Sequence, residues 1–226
     1  MIEQRLSDDE YRRIMASAKR INRERSASVV CSLHGFPTPR EFVKYIHAYG
    51  FENILDLGAG TGRFSTELDQ IHRGLQVFNL DLSPEKSNPN KLIVADFTHL
   101  PFANDSFDLA MSTYALACYA RDKEDVCRGV SEAIRVIRPY GQLMFTLYDG
   151  GYFRGARSSH RYADDSLFNL SMYLDLVFYA RTPDLKRYNP FRLRDVLPSA
   201  AELINFFKTD DRGVYSCTIR KREENE

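Results

Sequence analysis

Between Ile54 and Phe64 an apolar run stops at a carboxylate and then breaks into three alternate glycines, Ile54-Leu55-Asp56-Leu57-Gly58-Ala59-Gly60-Thr61-Gly62-Arg63-Phe64. Phe64, Leu68 and Ile71 follow at helical spacing. Strand, glycine loop and helix in that order form the nucleotide-binding corner of an open α/β sheet. The residues also exclude ligands. A dinucleotide loop, G-x-G-x-x-G, would need a third glycine where Arg63 stands, and no P-loop string G-x-x-x-x-G-K-[ST] occurs. Asp56, two residues before Gly58, would repel a pyrophosphate in the loop and attract a ligand bearing an ammonium or sulfonium charge.

A second strand-like stretch, Val77-Phe78-Asn79-Leu80-Asp81-Leu82, ends in an acid 25 residues after Asp56. An acid there can accept from both hydroxyls of a ribose, because an ionised carboxylate offers two oxygens. Ser83-Pro84 follows, a helix-start signal, so Ser83 can cap while Asp81 binds. A third stretch reads Ala95-Asp96-Phe97, then Leu100-Pro101-Phe102 and Ser106-Phe107-Asp108. Phe102 and Phe107 are expected in the core. A fourth runs from Glu132-Ala133-Ile134-Arg135 to Pro139, which halts a helix, with a turn at Tyr140-Gly141 and a strand over Gln142–Leu147.

Together these strings resemble the class I S-adenosylmethionine-dependent methyltransferases. The family's first motif is close to [V/I]-L-D-[L/I]-G-x-G-x-G, and residues 54–62 match every position. Residues 95–108 resemble its A-D-x-x-x-L-P-F-x-x-x-S-F-D segment. Asn79 and Tyr140 stand where the family often has glycine. The resemblance implies S-adenosyl-L-methionine as cofactor. It assigns cofactor binding to Asp56, Gly58, Ala59, Gly60, Gly62, Asp81, Leu82, Asp96, Phe97, Ser112 and Thr113. In that assignment Asp96 accepts from the adenine amino group and Phe97 flanks the ring. The implied fold class is α/β: a Rossmann-like, seven-stranded, mostly parallel sheet with helices on both faces and the last strand antiparallel. N-terminal helices and a helical insertion after the fifth strand complete it.

One domain over residues 1–226 is expected. Residues 1–40 would form an N-terminal helical lid, 53–147 the cofactor-binding core, 148–194 a substrate-side insertion and 195–221 a final helix and hairpin. Ser7-Asp8-Asp9-Glu10 starts a basic helix carrying Arg12, Arg13, Lys19, Arg20, Arg23 and Arg25. It is either a solvated face or a lid or partner contact. Pro37 to Tyr49 reads as a helix with Phe42, Ile46 and Tyr49 inward. Asp165 to Arg181 reads as a helix of the insertion, and Pro198 to Phe207 as the last helix. Val214 to Arg220 alternates like a strand, and Arg220 to Glu226 is a charged tail expected to fray.

Hydrophobic content of 43%, charged content of 27% and a formal charge of zero suit a globular enzyme. The neutral balance argues against a duplex-binding protein. No apolar run has the length of a membrane span and no signal peptide is visible. Cys31, Cys118, Cys127 and Cys217 are scattered without a C-x-x-C pair, so free thiols in a cytoplasmic protein and no metal are expected. Cys118 reads as a buried thiol.

Methyl transfer from a sulfonium is an in-line displacement that relies on proximity and orientation. A base is needed only for a protonated, weakly acidic acceptor. Candidate bases are His160, Asp149 and Tyr114. His34, His47, His72 and His99 show no ligand spacing and receive no role. The expected acceptor is a small molecule methylated on O or N. The aromatic stretch from Tyr148 to Phe191 suits either its pocket or a core. A tRNA- or RNA-modifying enzyme and a catalytically inactive cofactor-binding regulator are the alternatives.

Overall fold

The computed structural model describes residues 25–82, 92–116, 120, 123–148, 167–169, 190–192, 196–209 and 214–223. Two helices precede the sheet: α1 (Ala27–Leu33) and α2 (Pro39–Tyr49). Thr38 caps α2, its hydroxyl accepting from Glu41 N at 3.2 Å, with Pro39 in the first turn and Gly50 in the left-handed conformation at the end. Then follow β1 (Asn53–Leu57), α3 (Arg63–Ile71), β2 (Gln76–Asp81), β3 (Leu92–Val94), β4 (Phe107–Ser112), α4 (Lys123–Val136) and β5 (Ile137–Tyr148). A short ribbon of β6 (Leu167–Asn169) and β7 (Pro190–Arg192) precedes the final pair, β8 (Ala201–Lys208) and β9 (Val214–Lys221).

The main sheet has seven strands in the order β3-β2-β1-β4-β5-β9-β8. The first five are parallel, and β9 runs antiparallel to both β5 and β8. Two apolar layers explain why it holds. On one face Ile54, Val77, Leu109, Met111 and Met144 pack with α1, α2 and α3 through Val30, Phe42, Ile46, Phe64 and Leu68. On the other, Leu55, Leu57, Ala110, Leu143 and Phe145 pack with α4 through Val126, Val130 and Ala133. Strands covered on both faces read as continuous apolar runs, and every residue of β4 is buried. No helix among the described residues is long and apolar enough to cross a membrane.

Polar groups tie the connections down. Asp108 is 4% exposed, accepts from Glu52 N (2.6 Å) and Asn53 N (2.8 Å) and forms an ion pair with Arg138 Nε (2.8 Å), fastening the start of β1 to β4. Arg135 of α4 donates to the carbonyls of Leu100 (3.0 Å) and Phe102 (2.8 Å), while Glu132 accepts from Leu100 N (2.8 Å). The Leu100-Pro101-Phe102 stretch is thereby bolted to α4. Phe102 and Phe107 meet edge to face at 4.8 Å, the core role the sequence suggests.

Several expectations change. Tyr49 is 51% exposed, because Phe42 and Ile46 already fill the inner face of α2. The last helix expected over Pro198–Phe207 is the strand β8, whose residues pair with β9 from Ala201↔Lys221 to Lys208↔Tyr215. Pairing along a strand edge overrides the weak helical spacing there. Within the helix expected over Asp165–Arg181, residues 167–169 form β6 against β7; the rest lies outside the described residues. Helix α4 ends at Val136, three residues before Pro139, and Tyr140 takes φ 63 in the turn. The tail begins later than expected. Lys221 is buried and its Nζ reaches Asp105 Oδ1 (2.6 Å) and Ile137 O (2.9 Å) beside the end of α4. Residues 7–24 of the expected basic N-terminal helix and the Ser83-Pro84 start signal lie outside the described residues, and Arg25 is not helical.

Asp108→Ala leaves two backbone donors at the start of β1 without their acceptor. It is expected to cost about 3 kcal/mol, read as a lower urea midpoint at unchanged slope. Asp108→Asn, which keeps one acceptor oxygen, is expected to lose less than half of that.

Candidate active site

The carboxyl ends of β1, β2, β3 and β4 bring most of the expected cofactor residues to one edge of the sheet. Asp56 and Leu57 end β1, and the glycine loop leaves the sheet at Gly58. The loop is tied to the neighbouring strand, since Gly58 N and Ala59 N both donate to Leu80 O at 2.8 and 3.0 Å. Gly60 N donates to Asp81 Oδ2 at 2.9 Å. Gly58 has φ 82, and a Cβ there would lie 2.2 Å from Ala115 Cβ, so only glycine lets the loop pass the turn after β4. Gly62 opens α3 without a side-chain cap; its carbonyl accepts from Ser65 Oγ (2.8 Å) and Thr66 Oγ1 (2.9 Å). Asn79, where the family often has glycine, is 1% exposed and donates to Ser65 Oγ at 2.9 Å.

Asp56 is 6% exposed and, among the described residues, accepts no hydrogen bond and meets no cation. Burial first, and the Asp81 carboxylate second, push its pKa up to about 7. A carboxylate in that state is stabilised by any ligand that brings a positive charge.

Asp96 follows β3. Its Oδ1 accepts from Thr98 N and Thr98 Oγ1, both at 2.9 Å, and its Oδ2 makes no hydrogen bond among the described residues. Phe97 is 7% exposed and packs on α4, where a Cβ on Gly129 would lie 2.6 Å from its ring. Ser112 is fully buried and accepts from Leu116 N at 2.8 Å, shaping the turn after β4. Leu82 is half-buried beside Asp81. Tyr114 takes φ 57, and its N–H donates to Thr146 Oγ1 at 2.7 Å. Asp149, His160 and Cys118 lie outside the described residues.

Two residues, His34 and Ser216, escaped the sequence. His34, at the end of α1, is 4% exposed; its Nε2 lies 2.9 Å from Thr113 Oγ1 and its Nδ1 3.2 Å from Ser216 Oγ. Burial lowers its pKa to about 3, so the ring is neutral. The guanidinium carbon of Arg25 sits 4.2 Å above the ring of Tyr114. No spacing could have revealed this cluster, because His34 and Ser216 are 182 residues apart.

An open parallel sheet with a glycine loop and acids at successive strand ends is the architecture of nucleoside-binding α/β proteins. Residues 55–145 match the family described as "Methyltransferase domain". Over 100 residues the chain is 37% identical to the demethylmenaquinone methyltransferase of Beutenbergia cavernae, covering 41% of this chain and 39% of that protein. Over 95 residues it is 34% identical to malonyl-[acyl-carrier protein] O-methyltransferase 1 of Coxiella burnetii, covering 41% and 32%. The chain thus spans about a third to two fifths of the length of these curated relatives. An S-adenosylmethionine-dependent methyltransferase of Clostridium acetobutylicum shares the fold at a TM-score of 0.55 and 14% identity, over 95% of this chain and 99% of that one. So does 1,6-didemethyltoxoflavin-N1-methyltransferase of Burkholderia thailandensis, at 0.55 and 13% identity over 99% and 94%. The sheet core of this chain, residues 55–145, is thus similar to the class I S-adenosylmethionine-dependent methyltransferases.

Asp56 and His34 impose opposite pH slopes on the ligand-free protein. Asp56 holds a proton up to about pH 7 when folded but only to about 3.8 when unfolded, so its contribution to stability falls as pH rises across that window. His34 takes a proton near pH 6.5 when unfolded but only near 3 when folded, so its contribution falls as pH drops below 6.5. Each slope reaches at most about 1.4 kcal/mol per pH unit. Relative to the unsubstituted chain, Asp56→Asn should gain stability from pH 4 to 7 and His34→Gln should gain it from pH 6.5 down to 4, both measured by denaturant unfolding.

Proposed function

We propose that the chain is an S-adenosylmethionine-dependent methyltransferase whose acceptor is a small molecule or a group borne on a carrier protein, methylated on O or N. The observation that carries this is Asp56: a buried carboxylate with its pKa pushed up to about 7, without a cation among the described residues, at the root of a loop that only glycine can form. The donor set suits the cofactor. Asp56 offers a charge for its ammonium and sulfonium, Asp81 an acceptor for the ribose, and Asp96 Oδ2 an acceptor for the adenine amino group. When bound, S-adenosylmethionine supplies a methyl group on a positively charged sulfur that a lone pair can displace in line.

The residues of this chain bind and align the reactants. The glycine loop lets the backbone come close to the ligand, and the amino end of α3 faces the same edge of the sheet. The turn after β4, braced by Ser112, Thr146 and Ala115, lies against the loop at Gly58, next to the place where the acceptor must approach. Two relatives named for a quinone and a carrier-bound acid support an acceptor of that range.

Calorimetric titration with S-adenosylmethionine and S-adenosylhomocysteine is the test. Micromolar binding is expected, with net proton release near pH 6 to 7, seen as a dependence of the heat on buffer ionisation enthalpy. Affinity should rise with pH up to about 7, because the ligand's charge pulls the Asp56 pKa down. Asp56→Asn should abolish the proton release, and Asp81→Ala should weaken binding at least about tenfold. Absence of binding by both ligands would reject the function; unchanged affinity in Asp81→Ala would reject the ribose role alone.

A further inference from the structure

Thr113, His34 and Ser216 come from three distant parts of the chain and meet at the carboxyl end of β4 and the amino end of the antiparallel β9. Their hydrogen bonds have one direction that satisfies every buried donor. Ser216 is fully buried, and His34 Nδ1 is its only side-chain partner among the described residues. If the imidazole donated to Ser216, the serine proton would be buried without an acceptor, which is the more costly arrangement. Ser216 therefore donates to Nδ1. A neutral imidazole carries one N–H, which then sits on Nε2 and donates to Thr113 Oγ1. The proton of Thr113 is left to point away from His34. Thr113 is the half-buried member of the three, so the chain of hydrogen bonds ends in a hydroxyl donor on a partly exposed residue at the end of β4.

A second observation lies next to it. Arg25 is half-buried on the ring of Tyr114, the residue after Thr113, and makes no ion pair among the described residues. A hydroxyl donor on Thr113 and, against the ring of the next residue, a guanidinium that meets no carboxylate among the described residues suit a negatively charged oxygen. Building this from a buried histidine is costly if the only task is to hold α1 to the sheet, where apolar packing would serve.

We propose that Thr113, oriented by His34 and Ser216 and flanked by Arg25, binds the methyl acceptor through the oxygen to be methylated, and that this oxygen belongs to a carboxylate or an ionised hydroxyl. The inference rests on the methyltransferase function above and narrows its acceptor. An oxygen lone pair forms the new C–O bond while the carbon–sulfur bond breaks and its electron pair stays on sulfur. No proton moves, so no base is required. Thr113 touches substrate; His34 is a positioning residue.

Two measurements on the full chain decide it. In 15N-labelled protein, long-range proton–nitrogen spectra should show His34 protonated on Nε2 and bare on Nδ1 from pH 5.5 to 8, and Ser216→Ala should erase that preference. An Nδ1-protonated ring in the unsubstituted protein would overturn the proposal and leave the methyltransferase function standing. With methyl-labelled S-adenosylmethionine and a panel of carboxylic acids, phenols and amines, label should appear on a carboxylate or phenol oxygen. At saturating S-adenosylmethionine, Thr113→Val should lower kcat/KM for the acceptor at least about tenfold, and Thr113→Ser should restore it. Transfer to amines alone, or oxygen acceptors indifferent to Thr113→Val, would overturn it. Failure of the unsubstituted chain to bind S-adenosylhomocysteine would reject the underlying function, and this proposal with it.

Discussion

The site depends on one constraint: β1 lies between β2 and β4 in a parallel ladder that is buried on both faces. Parallel pairing sends all three carboxyl ends to the same edge of the sheet. The register sets Asp56 opposite Asn79 and Leu57 opposite Leu80, so Asp81 falls beside the first glycine of the loop. Two carboxylates are thereby held close enough to oppose each other's ionisation. Neither the repulsion nor the desolvation would persist without the apolar layers that fix the strands. The sheet stores an unfavourable charge arrangement at the root of the glycine loop.

The far side of the site is built differently. Helix α1 is short, and tertiary contacts hold it. Ala27 N donates to Glu67 of α3 at 2.7 Å, Gly35 lies against the ring of Phe207, and His34 bridges β4 and β9. A Cβ on Gly35 would approach Phe207 to 2.7 Å, so glycine is what lets the chain turn there and deliver His34 to the sheet. The segment before the sheet thus joins the wall of the site. Its polar groups point inward because partners from β4 and β9 await them, which is the condition under which a buried histidine is tolerated.

The glycine loop and the acids around it were legible in the sequence because their signals are local. Asp56, Gly58, Gly60 and Gly62 lie within seven consecutive positions, and the strand–loop–helix order restricts what they can form. Asp81 and Asp96 could be found by counting to the end of the next apolar run. The Leu100-Pro101-Phe102 string was visible too, though not that Arg135 and Glu132 would hold it. Expectations failed where local pattern was weak and pairing decided. Residues 201–208 carry apolar positions that suit a helix, yet they have β9 as an edge to pair with, and hydrogen bonds to it outweigh the spacing. Tyr49 continues an apolar stripe, yet Phe42 and Ile46 leave no space inside for it.

By itself the sequence determined the fold class, the succession of strands and helices through the sheet's parallel half and the acids near the ends of its strands, because each is written in contiguous residues whose backbone needs are specific. Only the tertiary structure decided that the Asp56 pKa is raised to about 7, that His34 meets Thr113 and Ser216 and that residues 201–208 are a strand. Burial, charge proximity and strand pairing are properties of groups far apart in the chain. They exist only once the sheet has brought those groups within a few ångströms of one another.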